Sequence, residues 1–87
     1  MKNRNEIWQA IELAIRADKK NNTAWPDHPA AQAGKVCGQS GRLMNVCLDI
    51  KYHKSSSEMI LEVQQQYIKE EAIKTAAMAI RFLENLK

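Results

Sequence analysis

Apolar positions recur along this chain with a helical period. After Ile7, the residues Ile11, Ala14 and Ile15 follow at i+4, i+7 and i+8, one stripe of an amphipathic helix that Asn3 or Asn5 is placed to cap. Glu6, Glu12, Arg16 and Lys19 take positions off that stripe. Trp8 and Leu13 widen it beyond what one partner helix covers, which calls for a second contact surface. The period stops at Asp18-Lys19-Lys20-Asn21-Asn22-Thr23, where cations in the last turn suit the helix dipole and paired asparagines suit a turn.

Trp25-Pro26-Asp27-His28-Pro29 is a constrained connector, because proline fixes φ at positions 26 and 29 and keeps Trp25 and His28 out of helical geometry. Pro29 suits the first position of a second helix, with Asp27 or His28 near its cap, running to about Lys54. Its core face is Val36, Leu43, Cys47 and Ile50, with Met44 and Leu48 beside them, and Gln39, Arg42 and Asn45 or Val46 lie on an adjoining strip. Gly34, Gly38 and Gly41 are unusual there. Each costs up to about 1 kcal/mol relative to alanine in a helix interior, so close helix approach, space for a ligand on the bare backbone, or a local break in the helix must account for them.

Ser55 and Glu58 have capping-box spacing and open the last helical segment. Its stripe is Ile60, Leu61, Gln64, Tyr67, Ile68, Glu71, Ala72, Thr75, Ala79, Phe82, Leu83 and Leu86. Glu71 and Thr75 interrupt the apolar run at the level of Lys74 and Met78, and a carboxylate on an apolar seam marks a buried ion pair or a site.

Three stretches carry a family resemblance: the Trp25-Pro26 loop, Gly38-Gln39-Ser40-Gly41-Arg42, and Glu71-Ala72-Ile73-Lys74-Thr75-Ala76-Ala77-Met78-Ala79. Over about residues 5–86 the chain resembles the MazG-like all-α nucleoside-triphosphate pyrophosphohydrolases, above all their short phage-type members. The resemblance implies an all-α, antiparallel bundle of three to four helices in a single domain over 1–87, completed by oligomerisation into a dimer, a tetramer or a larger assembly. In that family acidic residues on two helices hold magnesium, which bridges to the substrate phosphates and activates water. Here Gly38, Gln39 and Arg42 stand where the middle helix has its acidic cluster, and Lys74 stands near an acidic position of the next helix. Only Glu71, with Glu70 beside it, matches the metal-binding set. A hard divalent cation needs carboxylate oxygens, so the expectation is a nucleotide pocket with its metal site dismantled, no cofactor and no catalytic residue.

The ligand-binding residues expected on this basis are Trp25, His28, Gln39, Arg42, Asn45, Glu71, Lys74, Thr75 and Met78. Arg42 and Lys74 contact phosphate, Arg through a bidentate fork and Lys as a point charge; Trp25 or His28 lies near the base. The plain alternatives are that Arg42 and Lys74 pair with Glu71 or Asp49 as surface charges, that Trp25 plugs the end of the bundle, and that His28 and His53 are surface or capping groups. Tyr52, Tyr67 and Met78 read as core, Tyr52 also near the pocket mouth.

The function implied is non-catalytic sequestration of a nucleotide-derived signal. For a phage or prophage protein this means a sponge for host immune messengers such as cyclic oligonucleotides or ADP-ribose derivatives, acting in the cytoplasm. One alternative is an active magnesium-dependent pyrophosphohydrolase that rebuilds its site from Glu70, Glu71, Asp49 and Asp27 or Glu62. Another is an interaction or assembly protein without a small ligand.

Composition narrows the partners. A net charge of +3 favours an anionic ligand, yet the thirteen basic residues are scattered among ten acidic ones, without the stripe that tracks duplex nucleic acid. No apolar run approaches the roughly 20 residues of a membrane span, and Met1-Lys2-Asn3-Arg4 opens no signal-peptide core. At 87 residues, two or three helices bury a limited share of their surface, which makes self-association the expected remedy. Cys37 and Cys47, ten residues apart, are about 15 Å apart on a helix, too far for a disulfide within the chain. Small buried hydrophobes are their expected role, and neither histidine has zinc spacing to them.

Overall fold

A computed structural model describes residues 3–21, 24–52 and 58–86, the last stretch with side chains from 62 onward. Every secondary-structure element among the described residues is an α-helix: α1 (Arg4–Asn21), α2 (Pro29–Tyr52) and α3 (Glu58–Asn85). Asn3 caps α1, its Oδ1 accepting the Asn5 N–H at 2.8 Å, which satisfies one of the donors a helix start leaves open. At the start of α2 the cap is His28. Its Nδ1 accepts the Ala30 N–H at 3.0 Å, and its carbonyl accepts the Gln32 N–H at 3.0 Å. The Ser55 half of the expected capping box, His53, and the side chains of Ile60 and Leu61 lie outside the described residues. Helix α2 passes through Gly34, Gly38 and Gly41 without interruption and is described as far as Tyr52; the expected last turn to Lys54 lies outside the described residues.

Helix α3 packs on both α1 and α2, and no Cα atom of α1 comes within 8 Å of one in α2. The order across the molecule is therefore α1, α3, α2. Parallel alignment of α1 with α3 follows from Ile7 and Ile11 lying beside Ala72 and Ile73 at one end, and from the ion pairs of Asp18 with Arg81 and Lys19 with Glu84 at the other. Helix α2 runs the opposite way, with Ile50 beside Gln64 and Tyr67, Gln39 against Glu71, and Ala33 beside Phe82 and Leu83.

Burial within one chain is shallow. The only fully buried hydrophobes among the described residues are Ile11 and Ala77, at 7% and 1% exposure. Val36, Leu43, Cys47 and Ile50 are half-buried as the α2 stripe requires, while Met44 and Leu48 are exposed. On α3 the pattern departs further from expectation. Tyr67, Ala72, Leu83 and Leu86 are exposed, and Cys37 of α2 is exposed rather than buried, whereas Ala77 and Arg81 are the most buried residues of their helix. The reason is that α3 is flanked on two sides, so a single stripe does not describe what it buries. A radius of gyration of 14.6 Å exceeds the about 12 Å of a compact domain of this length.

Candidate functional site

A polar groove runs along one face of the molecule, floored by α3 and walled by the other two helices. Its deeper part, about 280 Å³, is lined by Ala17, Asp18 and Asn21 of α1, Gln39 and Arg42 of α2, and Lys74 and Met78 of α3, among others. It shares Asp18, Gln39, Arg42 and Met78 with an adjoining recess of about 340 Å³ that reaches Gly34, Lys35 and Gly38. Lys35, Gln39 and Arg42 stand at i, i+4 and i+7 on α2, so the helix presents them as one strip.

Glu71 organises the seam beside the groove. It is 16% exposed at its side chain, accepts a hydrogen bond from the Gln39 amide through Oε2, and faces the Lys74 ammonium through Oε1 at 3.8 Å. Thr75 donates its hydroxyl to the Glu71 carbonyl at 2.8 Å, a bond within the helix turn. Glu71 therefore ties an amide of α2 and a cation of α3 to one point. Arg42 carries no ion pair or hydrogen bond among the described residues, so its five N–H donors face the groove and solvent.

The carboxylate of Asp18 belongs to a second cluster. Arg81, 4% exposed, pairs with it through NH1, and the Arg81 guanidinium also stacks on Trp25 at 4.4 Å from the ring centroid. Lys35 approaches the same ring at 5.7 Å. Cations over an aromatic face are attracted by its quadrupole, and Trp25 thereby fastens the connector to α2 and α3. Gln32 completes that fastening. It is buried, and its Nε2 donates to the carbonyls of Pro26 at 2.7 Å and Asp27 at 3.2 Å.

Of the residues expected to bind ligand, Gln39, Arg42, Lys74 and Met78 line the groove and Glu71 borders it. Trp25, His28, Asn45 and Thr75 do not line it. The Trp25 ring is held against Arg81, the His28 Nδ1 is committed to its helix cap, and the Thr75 hydroxyl is spent on its own helix. Asn45 is exposed on α2. The polar groove residues not anticipated are Asp18, Asn21 and Lys35, with Arg81 paired to Asp18 beside them. Arg81 had a legible signal, since Lys74, Met78 and Arg81 repeat at i, i+4 and i+7.

The carboxylates available for a metal are dispersed. Glu70 accepts from Gln66 one turn back at 3.3 Å, Asp49 lies beside Ile50, Gln64 and Tyr67, and Asp27 sits at the start of α2. Among the described residues no three His, Cys, Asp or Glu side chains gather as a metal site, and no helix is long and apolar enough to cross a membrane. Comparison with protein-family models, with curated proteins and with solved structures finds no match for this chain.

Proposed function

We propose that this chain is a non-catalytic binding protein that holds a nucleotide-like anion in the groove between α1 and α2. The observation that carries the reading is the meeting of Arg42 from α2 and Lys74 from α3 in one groove, with Lys35 in the recess beside them. Arg42 supplies a fork for two phosphate oxygens, and Lys74, steadied by Glu71, supplies a point charge. Gln39, on the α2 wall, keeps its amide oxygen and second N–H for the ligand while Nε2 also donates to Glu71.

The glycines support the same reading. A Cβ added at Gly34 or Gly38 meets no atom within 4 Å, so close helix approach within the chain does not require them, and the continuity of α2 removes a helix break. Space on the bare backbone for a ligand or for a second chain remains, and the recess these two glycines line is where a ligand would use it. The MazG-like resemblance supplies the wider frame of this proposal: a bundle of that kind in which cations took over phosphate binding from magnesium, completed by association between chains. Magnesium chemistry does not fit the residues present, because Glu71 is engaged by Gln39 and Lys74 and the other candidate carboxylates are dispersed. Capture without turnover is the use such a groove has, and a phage sponge for a nucleotide signal is the biological form of it proposed here.

Mass spectrometry of the small molecules released by denaturing the purified protein tests this. Recovery of an intact nucleotide or nucleotide derivative supports the proposal. A released monophosphate product, or magnesium-dependent pyrophosphate release from nucleoside triphosphates, rejects it.

A further inference from the structure

On the face opposite the groove, among the described residues, α3 presents small and apolar side chains with no helix across them, and Lys69 stands at the end of the stripe beside Ala72 and Ala76. On α3, Ala72, Ala76, Ala79 and Leu83 recur at i, i+4, i+7 and i+11. Ala76 lies two residues from both Lys74 and Met78, which on a helix of 3.6 residues per turn sets it on roughly the other side from the groove. At one end of this stripe a cavity of about 450 Å³ opens between α2 and α3, lined by Ala33, Val36, Cys37, Ala79, Phe82 and Leu83 and by one polar side chain, Ser40. No Asp, Glu, Lys or Arg lines it. Leu83 is 66% exposed there, and Met44, also exposed, continues the Ala33 and Cys37 line of α2 by one further heptad.

We infer that this face is where a second copy of the chain docks, the α2 and α3 stripes of one protomer lying against those of the other. The inference rests on the proposed association between chains and assigns it a surface. Three observations favour a second copy over a foreign partner or a small apolar ligand. A single row of helices has no second layer, and a stable domain needs one. The accessible surface is 6692 Å², whereas a compact monomer of this mass exposes about 5200 Å². That surplus, roughly 1500 Å² over the whole chain, is large enough to include the about 800 Å² per partner of an ordinary stable interface. Finally, lining that lacks charge and offers small residues beside a projecting leucine suits the fully buried centre of a symmetric interface, where each Leu83 has a cavity on the partner to enter.

The test combines mass and thiol accessibility. Sedimentation of the wild-type chain at micromolar concentration should give a dimer or a multiple of it. Leu83→Asp should reduce that mass to the monomer, while Gln9→Asp, at an exposed polar position of α1, leaves it unchanged. In a Cys47→Ser background, Cys37 should react with a maleimide at least ten times more slowly than it does after dilution to dissociating concentration, a reading that needs no change on the face. A wild-type monomer rejects self-association itself. An oligomer that survives Leu83→Asp, or one in which Cys37 labels as fast as a free thiol, rejects the face while leaving self-association standing. Slow Cys37 labelling in a chain of monomeric mass assigns the cavity to a small apolar ligand and likewise rejects the inference.

Discussion

Gln39 of α2 donates its side-chain amide to the carboxylate of Glu71 on α3, thirty-two positions away in sequence, at the point where the two helices' apolar seam gives way to polar groups. The same carboxylate faces Lys74 across its other oxygen. One half-buried acid thus sets the distance between the wall and the floor of the groove.

Removing one side of that bond should cost more than removing both. Gln39→Leu leaves the Glu71 carboxylate partly desolvated with Lys74 alone, a loss on the scale of about 1.5 to 3 kcal/mol for a hydrogen bond to a charged group. Gln39→Leu combined with Glu71→Leu extends the apolar seam and should return stability to within about 1 kcal/mol of the wild type. Urea denaturation of the single and double variants measures both, and equal losses in the two would show that the bond carries no coupling.

Arg81 should be the most sensitive cation in the chain. It is buried, paired with Asp18 and stacked on Trp25, and breaking a buried pair from one side costs about 3 to 5 kcal/mol. Arg81→Met should lower the melting temperature by more than about 10 °C, given roughly 4 to 8 °C per kcal/mol for a domain of this size. Arg81→Lys should recover only part of the loss, because an ammonium lacks the planar stack on indole. Full recovery by lysine would mean that the stack contributes nothing.

The connector should loosen without loss of the helices when Gln32 is changed. Its amide serves the Pro26 and Asp27 carbonyls, and neither carbonyl has another protein donor among the interactions described above. Gln32→Leu should cost about 1 to 2 kcal/mol. Amide exchange at Asp27, His28 and Ala30 should accelerate while the centre of α3 keeps its protection; protection unchanged at these positions would contradict the role.

The three glycines should separate propensity from function. Gly41 does not line the groove, a Cβ there meets open space, and φ is not positive. Gly41→Ala should therefore stabilise the chain by about 0.5 to 1 kcal/mol with ligand retention unchanged. Gly38→Phe fills the recess, and should preserve helical circular dichroism while abolishing retention. A Gly38→Phe protein that keeps its ligand would place the site elsewhere.

Helix positions were legible in the sequence because the punctuation is local: Asn3 and His28 act as caps, and Pro26 and Pro29 frame the connector. Gln39, Arg42 and Lys74 were grouped only by a resemblance, and they line one groove; periodicity places Gln39 and Arg42 on one strip of α2 but does not join that strip to Lys74 of α3. What escaped depended on which sides of α3 are covered. The periodicity of α3 favoured Tyr67 and Leu83 as core, yet they are exposed, while Ala77 and Arg81 are buried because α1 lies along a second side of the helix. Asp18 read as the end of a helix, and its place in the groove wall follows only from the parallel alignment of α1 with α3. Trp25 carried two readings, and the cations packed on its ring favour the structural one.

The most direct test of the central claim is ligand retention by Arg42→Ala and Lys74→Ala. Each is purified beside the wild type under identical conditions, denatured, and its released small molecules quantified against protein. Both side chains are exposed and lie off the apolar seam, so folding and oligomeric mass should be unchanged. The account predicts near-stoichiometric release of an intact phosphate-bearing molecule from the wild type and at least a tenfold weakening of its binding in each variant, one charge-assisted hydrogen bond being about 1.5 to 3 kcal/mol and 1.4 kcal/mol a factor of ten. Equal retention by the wild type and both variants would contradict it, and Arg42 and Lys74 would then be surface charges of the bundle.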